Sequence, residues 1–139
     1  MFAKLQKSEV MVVDRSAIKA IKQKRLVYLL VASQARKYPG GKSAIMYIGS
    51  TEKGVARVAS SAARQARWIL GKHGVRKFTA RVVTCPRRPG LKMWCVLERD
   101  LLLVFLMLFG KLPMRNKQRP KSLSGFFPAV MLERILRAV

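Results

Sequence analysis

Apolar residues in the first part of the chain have the spacing of two paired strands. Residues 26–32 are apolar on both faces, which is typical of a strand at the centre of a sheet. Residues 36–42 combine polar side chains with the sequence Pro39-Gly40-Gly41 and predict a turn. We therefore expect residues 44–49 to return antiparallel beside the first strand.

After Thr51 the apolar residues take the period of a helix. The predicted inward stripe comprises Val55, Val58, Ala59, Ala62, Ala66, Ile69 and Leu70. The polar stripe beside it comprises Lys53, Arg57, Ser61 and Arg64. Together they predict an amphipathic helix that ends near Gly71 and Gly74, because glycine commonly terminates helices.

The second half of the chain predicts one more strand and two more helices. Apolar and polar residues alternate over 78–82, a long apolar helix is expected over 92–109, and a final helix over 126–138. Asp14 would cap a short helix that reaches residue 24. This order predicts an α+β fold with a three-stranded, largely antiparallel sheet flanked by helices.

The length of 139 residues predicts a single domain that spans the chain. Within it we expect a helical extension over residues 1–24, a core over 25–117, and a basic loop with the C-terminal helix over 118–139.

Charge is the most extreme property of the composition. Lys and Arg total 29 against 6 Asp and Glu, a formal net charge of +23, and the basic residues are spread along the whole chain. A polyanion normally neutralises such an excess, because each phosphate contact releases a condensed counterion. Composition alone is also typical of a ribosomal-type or chromatin-type protein. The family resemblance given below implies DNA, duplex or branched, as the partner, with RNA as the alternative. The candidate contacts are Arg64, Lys72, Arg87, Arg88, Arg115 and Lys117.

Several classes of site and location are poorly supported. Cys85 and Cys95 have no metal-ligand spacing, and His73 is the single histidine, so zinc sites and histidine-based triads are not expected. The longest uncharged apolar run, residues 101–110, is about half of the ~20 residues that span a bilayer. We expect a cytoplasmic protein that does not enter membranes, associated with the nucleoid if its source is a bacterium or a phage.

Glu98 is the residue whose position most needs an explanation. Its neighbours one helical turn away are Trp94, Cys95, Leu101 and Leu102, so it projects from the apolar face of the long helix. A carboxylate in such surroundings is costly unless a cation stands opposite it. Two interpretations are open: an internal ion pair with an arginine, or a ligand of a divalent metal.

Five fragments occur in a fixed order along residues 25–117. They are Leu26-Val27-Tyr28, Tyr47-Ile48-Gly49, Arg57 ten positions after Tyr47, Glu98, and Pro113-Met114-Arg115-Asn116. This order resembles the GIY-YIG nucleases, which cut nucleic-acid phosphodiesters. The chain departs from the family pattern at three positions: Leu26 replaces a glycine, Ser50 stands where some members carry lysine, and Ser61 where many carry histidine or tyrosine.

The resemblance implies a metal-dependent endonuclease, a hydrolase of DNA phosphodiester bonds. Glu98 would hold one Mg²⁺ or Mn²⁺, Arg57 would stabilise the charge on the phosphate, and Tyr28 or Tyr47 would orient or deprotonate water. Asn116 would brace the active site, and Gly49 would allow a close backbone approach or a positive φ. His73, Lys72 or Arg64 are alternative proton-shuttling groups.

Each of these residues also has an ordinary structural interpretation. Tyrosines in strands usually pack in the core, a helix arginine such as Arg57 is usually solvated, and an asparagine after proline often caps a turn. The competing hypothesis is a non-catalytic basic DNA- or RNA-binding protein, including one descended from a nuclease. A third is a basic subunit whose apolar helix docks a partner. For a nuclease, loops, a homodimer or a partner protein would supply specificity.

Overall fold

The computed structural model describes residues 2–4, 11–13, 22–72 and 78–138. Their elements are β1 (Phe2–Lys4), β2 (Met11–Val13), β3 (Leu26–Tyr38), β4 (Gly41–Thr51), α1 (Val55–Lys72), β5 (Phe78–Thr84), α2 (Met93–Phe109) and α3 (Ala129–Arg137). The strands form one sheet and the helices cover it, so the predicted α+β class is confirmed. No helix of these residues is both long enough and apolar enough to span a bilayer.

The three predicted strands form the middle and one edge of the sheet, in the order β5-β3-β4, and both pairings are antiparallel. In the part of the chain that the structure describes, β2 and β1 extend the sheet beyond β5, also antiparallel. These two short strands lie in the segment expected to be a helical extension. Most of the helix predicted over 14–24 lies outside the described residues, and residues 22–25 are not helical.

The hairpin of β3 and β4 is longer than predicted, because β3 continues to Tyr38 and only Pro39 and Gly40 form the turn. Within it, Leu30 pairs with Tyr47 and Val31 pairs with Ile45, which leaves Met46 as an extra residue on β4. Such a bulge bends the strand and frees its backbone groups for other partners.

Side chains of β3 alternate between two apolar layers. Val27 and Leu29 pack with the residues of α2 and α3, whereas Leu26, Tyr28 and Leu30 pack with Val58 of α1. A strand covered on both faces has to be apolar without alternation, which is the pattern of residues 26–32. Tyr28 therefore faces α1.

The buried face of α1 differs from the predicted stripe. Val58 is buried as expected, but Ala59 is exposed and Ser61 is buried. Ser61 faces the sheet because its hydroxyl forms a hydrogen bond with the hydroxyl of Tyr28. A small side chain also lets the helix approach the strand closely.

The bounds of α2 agree with the prediction to within one residue, whereas α3 begins at Ala129, three residues later than predicted. Residue Gly110 ends α2 with φ of 78°, in the left-handed region that favours glycine. Asp100, almost completely buried on α2, accepts hydrogen bonds from the backbone N–H (3.0 Å) and the hydroxyl (2.5 Å) of Ser124. These bonds hold the segment that leads into α3 against α2.

Candidate active site

Tyr28 and Tyr47 lie side by side on the sheet, with ring centroids 6.0 Å apart. They converge over Gly49, which pairs with Tyr28 across the hairpin. A Cβ atom on Gly49 would lie 2.6 Å from Cζ of Tyr28 and 2.7 Å from Cε2 of Tyr47. Position 49 thus requires glycine because the two tyrosine side chains leave no room for a Cβ atom, and not because its φ is positive.

The Tyr28 hydroxyl contacts α1 directly. Its oxygen lies 2.6 Å from Oγ of Ser61, and either group can be the donor. Both residues are buried. The serine that departs from the family pattern therefore supplies a hydroxyl partner for the first tyrosine.

Glu98 is half-buried on α2, next to β4. Burial raises the pKa of its carboxyl, while a hydrogen bond with the Ser50 side chain and the charge of Arg99 act in the opposite direction. Among the described residues, the one side-chain ion pair joins Arg137 to Glu133, so Glu98 has no such partner there. Arg81 donates to the backbone oxygen of Ala138 at 3.1 Å.

Arg57 is exposed on α1 and lines an open cleft of about 290 Å³, which we call the Arg57 cleft. Ser50 of β4 and Trp94 and Cys95 of α2 also line it. Trp94 and Cys95 precede Glu98 by one helical turn, and Ser50 bonds to Glu98. Glu98 itself does not line the cleft, and Ser50 connects it to the cleft that Arg57 lines.

Electrostatic coupling connects Tyr47 to the same region. The pKa of Tyr47 is raised to about 12, first by burial, then by Tyr28 and by the negative charge of Glu98; Arg64 lowers it. The phenol is accordingly neutral at physiological pH. Tyr28, Tyr47 and Glu98 are thus electrostatic neighbours, and Ser50, which is beside Glu98, also lines the Arg57 cleft.

Asn116 lies against the outer edge of β4. Its Oδ1 accepts a hydrogen bond from the Ile48 N–H at 2.9 Å, and its Nδ2 donates to the Ile48 carbonyl at 2.8 Å. In the same loop, the Arg115 N–H donates to the carbonyl of Met46, the bulged residue, at 2.9 Å. Asn116 fixes the backbone between Tyr47 and Gly49, and it covers a strand edge that would otherwise be unpaired.

The residues at this site suit one divalent cation held by a single carboxylate. No cluster of three or more His, Cys, Asp or Glu side chains occurs within the described ranges. Mg²⁺ is commonly bound by one or two carboxylates, with water and substrate phosphates completing its coordination. Glu98 forms no ion pair with a described side chain, and its carboxylate is a ligand of the kind that such a cation prefers.

The predicted nucleic-acid contacts separate into several locations. Arg64 is exposed beside Tyr47, and Arg87 and Arg88 line a pocket next to the Arg57 cleft. Lys117 lines a different basic depression, around the turn of the hairpin.

Of the two remaining candidates, only the side chain of Arg115 lies within the described structure. Arg115 is held in the protein, with Nε donating to Oε1 of Gln65 at 3.0 Å and its guanidinium over Trp68. The side chain of Lys72, like all of His73, lies outside the described part of the structure.

Three residues at the site were not singled out for these roles from the sequence. Ser50 and Ser61 were noted only as departures, yet they bond to Glu98 and Tyr28. Glu52 contributes a carboxylate to the Arg57 cleft. The scarcity of acidic residues, 6 in the chain, was the one available signal for Glu52. Nothing in the spacing of the serines indicated their partners.

Comparisons of the chain with protein-family models, with curated proteins and with solved structures find no match. The likeness to the GIY-YIG nucleases therefore depends on the ordered residues and their arrangement, and membership of that family belongs to the proposal that follows.

Proposed function

We propose that this chain is a metal-dependent endonuclease of the GIY-YIG type that hydrolyses phosphodiester bonds of DNA. The observation that carries the proposal is the position of Glu98. It is half-buried on an otherwise apolar helix face, bonded to Ser50 and beside the Arg57 cleft, without an ion pair to any described side chain. A desolvated carboxylate of this kind, without an ion pair to a described side chain, is typical of a functional site.

The proposed cation is Mg²⁺ or Mn²⁺, held by Glu98, whose carboxylate Ser50 orients. When bound, it supplies Lewis-acid neutralisation of the phosphate and of the leaving oxygen. Arg57 lines the adjacent cleft. Its planar guanidinium is permanently charged, which suits a phosphate that gains negative charge in the transition state.

Tyr28 and Tyr47 have different roles in this proposal. Because the pKa of Tyr47 is raised to about 12, its neutral phenol orients water by hydrogen bonding. Tyr28 is the proposed acceptor of the water proton, and the Ser61 hydroxyl, 2.6 Å from the Tyr28 oxygen, positions that phenol. Asn116 is a positioning residue that acts through the backbone of Ile48.

One observation favours a second candidate, a basic protein that binds nucleic acid without cutting it. Burial and the charge of Glu98 hold Tyr47 in its protonated form, which removes one of the two proposed bases. The net charge of +23 alone accounts for binding. This candidate predicts salt-sensitive binding with no metal-dependent turnover.

The deciding experiment is incubation of supercoiled plasmid with the purified protein and Mg²⁺ or Mn²⁺, followed by electrophoresis of nicked and linear products. We expect cleavage that requires the metal. Glu98→Ala and Arg57→Ala should each lower the rate by about 100-fold or more, as expected for lost transition-state stabilisation.

Matched controls lie on α3, at Glu133→Ala and Arg134→Ala, which remove the same charges away from the Arg57 cleft. These variants should cleave at the rate of the unaltered protein. Equal cleavage by all four variants would reject the proposed site. Binding without cleavage of plasmid, branched or single-stranded DNA would support the second candidate instead.

A further inference from the structure

A larger pocket adjoins the Arg57 cleft and shares Glu52 and Trp94 with it. It lies between residues 22–25, the loop that follows β5, and the start of α2, and it encloses about 480 Å³. This volume is within the range of about 300–1,000 Å³ that is typical of small-molecule sites. We call it the basic pocket.

Two kinds of side chain line the basic pocket. Its cationic groups are Lys22, Lys24, Arg25, Arg87 and Arg88, opposed by the carboxylate of Glu52. Its apolar lining includes Trp94 and Leu91, and Leu91 is 41% exposed although it is a large aliphatic residue. Arg25 lies over the Trp94 ring, 4.7 Å from its centroid.

We propose that the basic pocket receives an unpaired nucleotide next to the phosphodiester that is cut, so that the substrate is DNA with a bulge, gap or flap. This inference rests on the proposed nuclease function for its biological meaning. A nucleotide joins an apolar planar base to an anionic phosphate, and the pocket joins an apolar surface to five cations.

An intact duplex matches the pocket less well. Its phosphates lie outside and its bases are stacked inside, so it offers the cations partners but leaves the exposed side chain of Leu91 without one. Proteins that recognise unpaired bases place them on aromatic or apolar side chains and on arginine planes. The pair of Arg25 and Trp94 is an arrangement of this kind.

The test compares the binding of two fluorescent DNA duplexes that differ by one bulged adenosine, measured by anisotropy without divalent metal. We expect the bulged duplex to bind roughly tenfold more tightly, which is within the effect of one stacked base. Leu91→Ala, which changes no charge, should abolish the preference and leave the affinity for the plain duplex unchanged. Arg88→Ala should weaken binding to both duplexes and also reduce the preference.

The control variant is Arg119→Ala, which removes one charge from the other basic depression. It should weaken binding of both duplexes equally and keep the preference. Equal affinities for the two duplexes, or a preference unchanged in both Leu91→Ala and Arg88→Ala, would overturn the proposal. Circular dichroism checks that each variant is folded.

A second readout uses the two tryptophans of the chain. In a Trp68→Phe background, deoxyadenosine monophosphate should change Trp94 fluorescence at concentrations at which inorganic phosphate does not. An equal response to both would indicate anion binding alone and would contradict base recognition. Neither readout needs cleavage, so the two proposals can fail separately. A preference for the bulged duplex without DNA cleavage would reject the nuclease function and support nucleotide binding in the basic pocket. Cleavage without this preference would support the nuclease function and reject nucleotide binding in the basic pocket.

Discussion

The phenol oxygen of Tyr28 and the hydroxyl oxygen of Ser61 lie 2.6 Å apart across the interface between β3 and α1. This bond connects the middle of the sheet to the helix that carries Arg57. It also explains why α1 turns a serine inward where the apolar pattern placed alanine. The same hydrogen bond therefore contributes to the packing of α1 on the sheet and to the position of Tyr28 in the candidate site.

Ser61→Ala should destabilise the protein by about 1 kcal/mol, because it leaves the buried Tyr28 hydroxyl without its partner. The coupling of Ser61→Ala with Tyr28→Phe, measured by urea denaturation of both single variants and the double variant, should be about 0.5–1.5 kcal/mol. Ser60→Ala is the control on the exposed side of the same helix, with an expected change below about 0.5 kcal/mol. A coupling near zero would contradict this bond.

Gly49→Ala should be among the most damaging small substitutions. The new Cβ would lie 2.6 Å from the Tyr28 ring and 2.7 Å from the Tyr47 ring, so both tyrosines would have to move. We expect a loss of about 2–3 kcal/mol, as for overpacking in a core, together with loss of cleavage. Gly125→Ala is the control, because it meets no atom within 4 Å and only its φ of 84° opposes alanine. A milder effect at Gly49 than at Gly125 would refute this explanation.

The features that depend on local apolar patterns were predictable from the sequence. The run at residues 26–32 predicted the central strand, and α2 begins within one residue of its predicted start at 92. Glu98 was recognisable because a carboxylate among leucines breaks the pattern of its own helix. Such signals need only residues that are near one another in sequence.

Features that depend on contacts between distant elements were not predictable in this way. The polar stripe of α1 placed Ser61 outside, because no periodicity records that Tyr28 on another element provides a hydroxyl. Asn116 was expected to brace the site, but its partner depends on the bulge at Met46 and on β4 being an edge strand. The three-residue strands β1 and β2 are too short to show a reliable alternation of apolar and polar residues.

Asn116→Asp should weaken the edge of β4 more than its near-isosteric shape suggests. The carboxylate can still accept from the Ile48 N–H, but it cannot donate to the Ile48 carbonyl and would face that oxygen instead. We expect a loss of about 1–3 kcal/mol and faster hydrogen exchange at the Ile48 amide. Gln118→Ala, at an exposed position of the same loop, should leave both unchanged. Unaltered exchange at Ile48 in Asn116→Asp would contradict the proposed brace.

Glu98 makes the stability of the fold depend on pH, and the direction of this dependence follows from the raised pKa of its carboxyl. The folded state holds the proton of this carboxyl more strongly than the unfolded chain, whose ordinary value is near 4.5. The stabilisation of the folded state by this protonated carboxyl is therefore fully present at pH values below the ordinary pKa of the unfolded chain. It is lost as the pH rises through the folded pKa, because ionisation then costs more in the folded state.

Glu98→Gln should consequently make the protein more stable at pH 7 while it abolishes cleavage. The amide carries no charge to desolvate, so the melting temperature at pH 7 should rise. At pH 4 the unaltered carboxyl is itself protonated, and the two proteins should melt together. Glu133→Gln, which breaks the exposed pair with Arg137, should show no gain at pH 7. A Glu98→Gln protein that melts lower at pH 7 would mean that the carboxylate has a stabilising partner, and its role would then be structural.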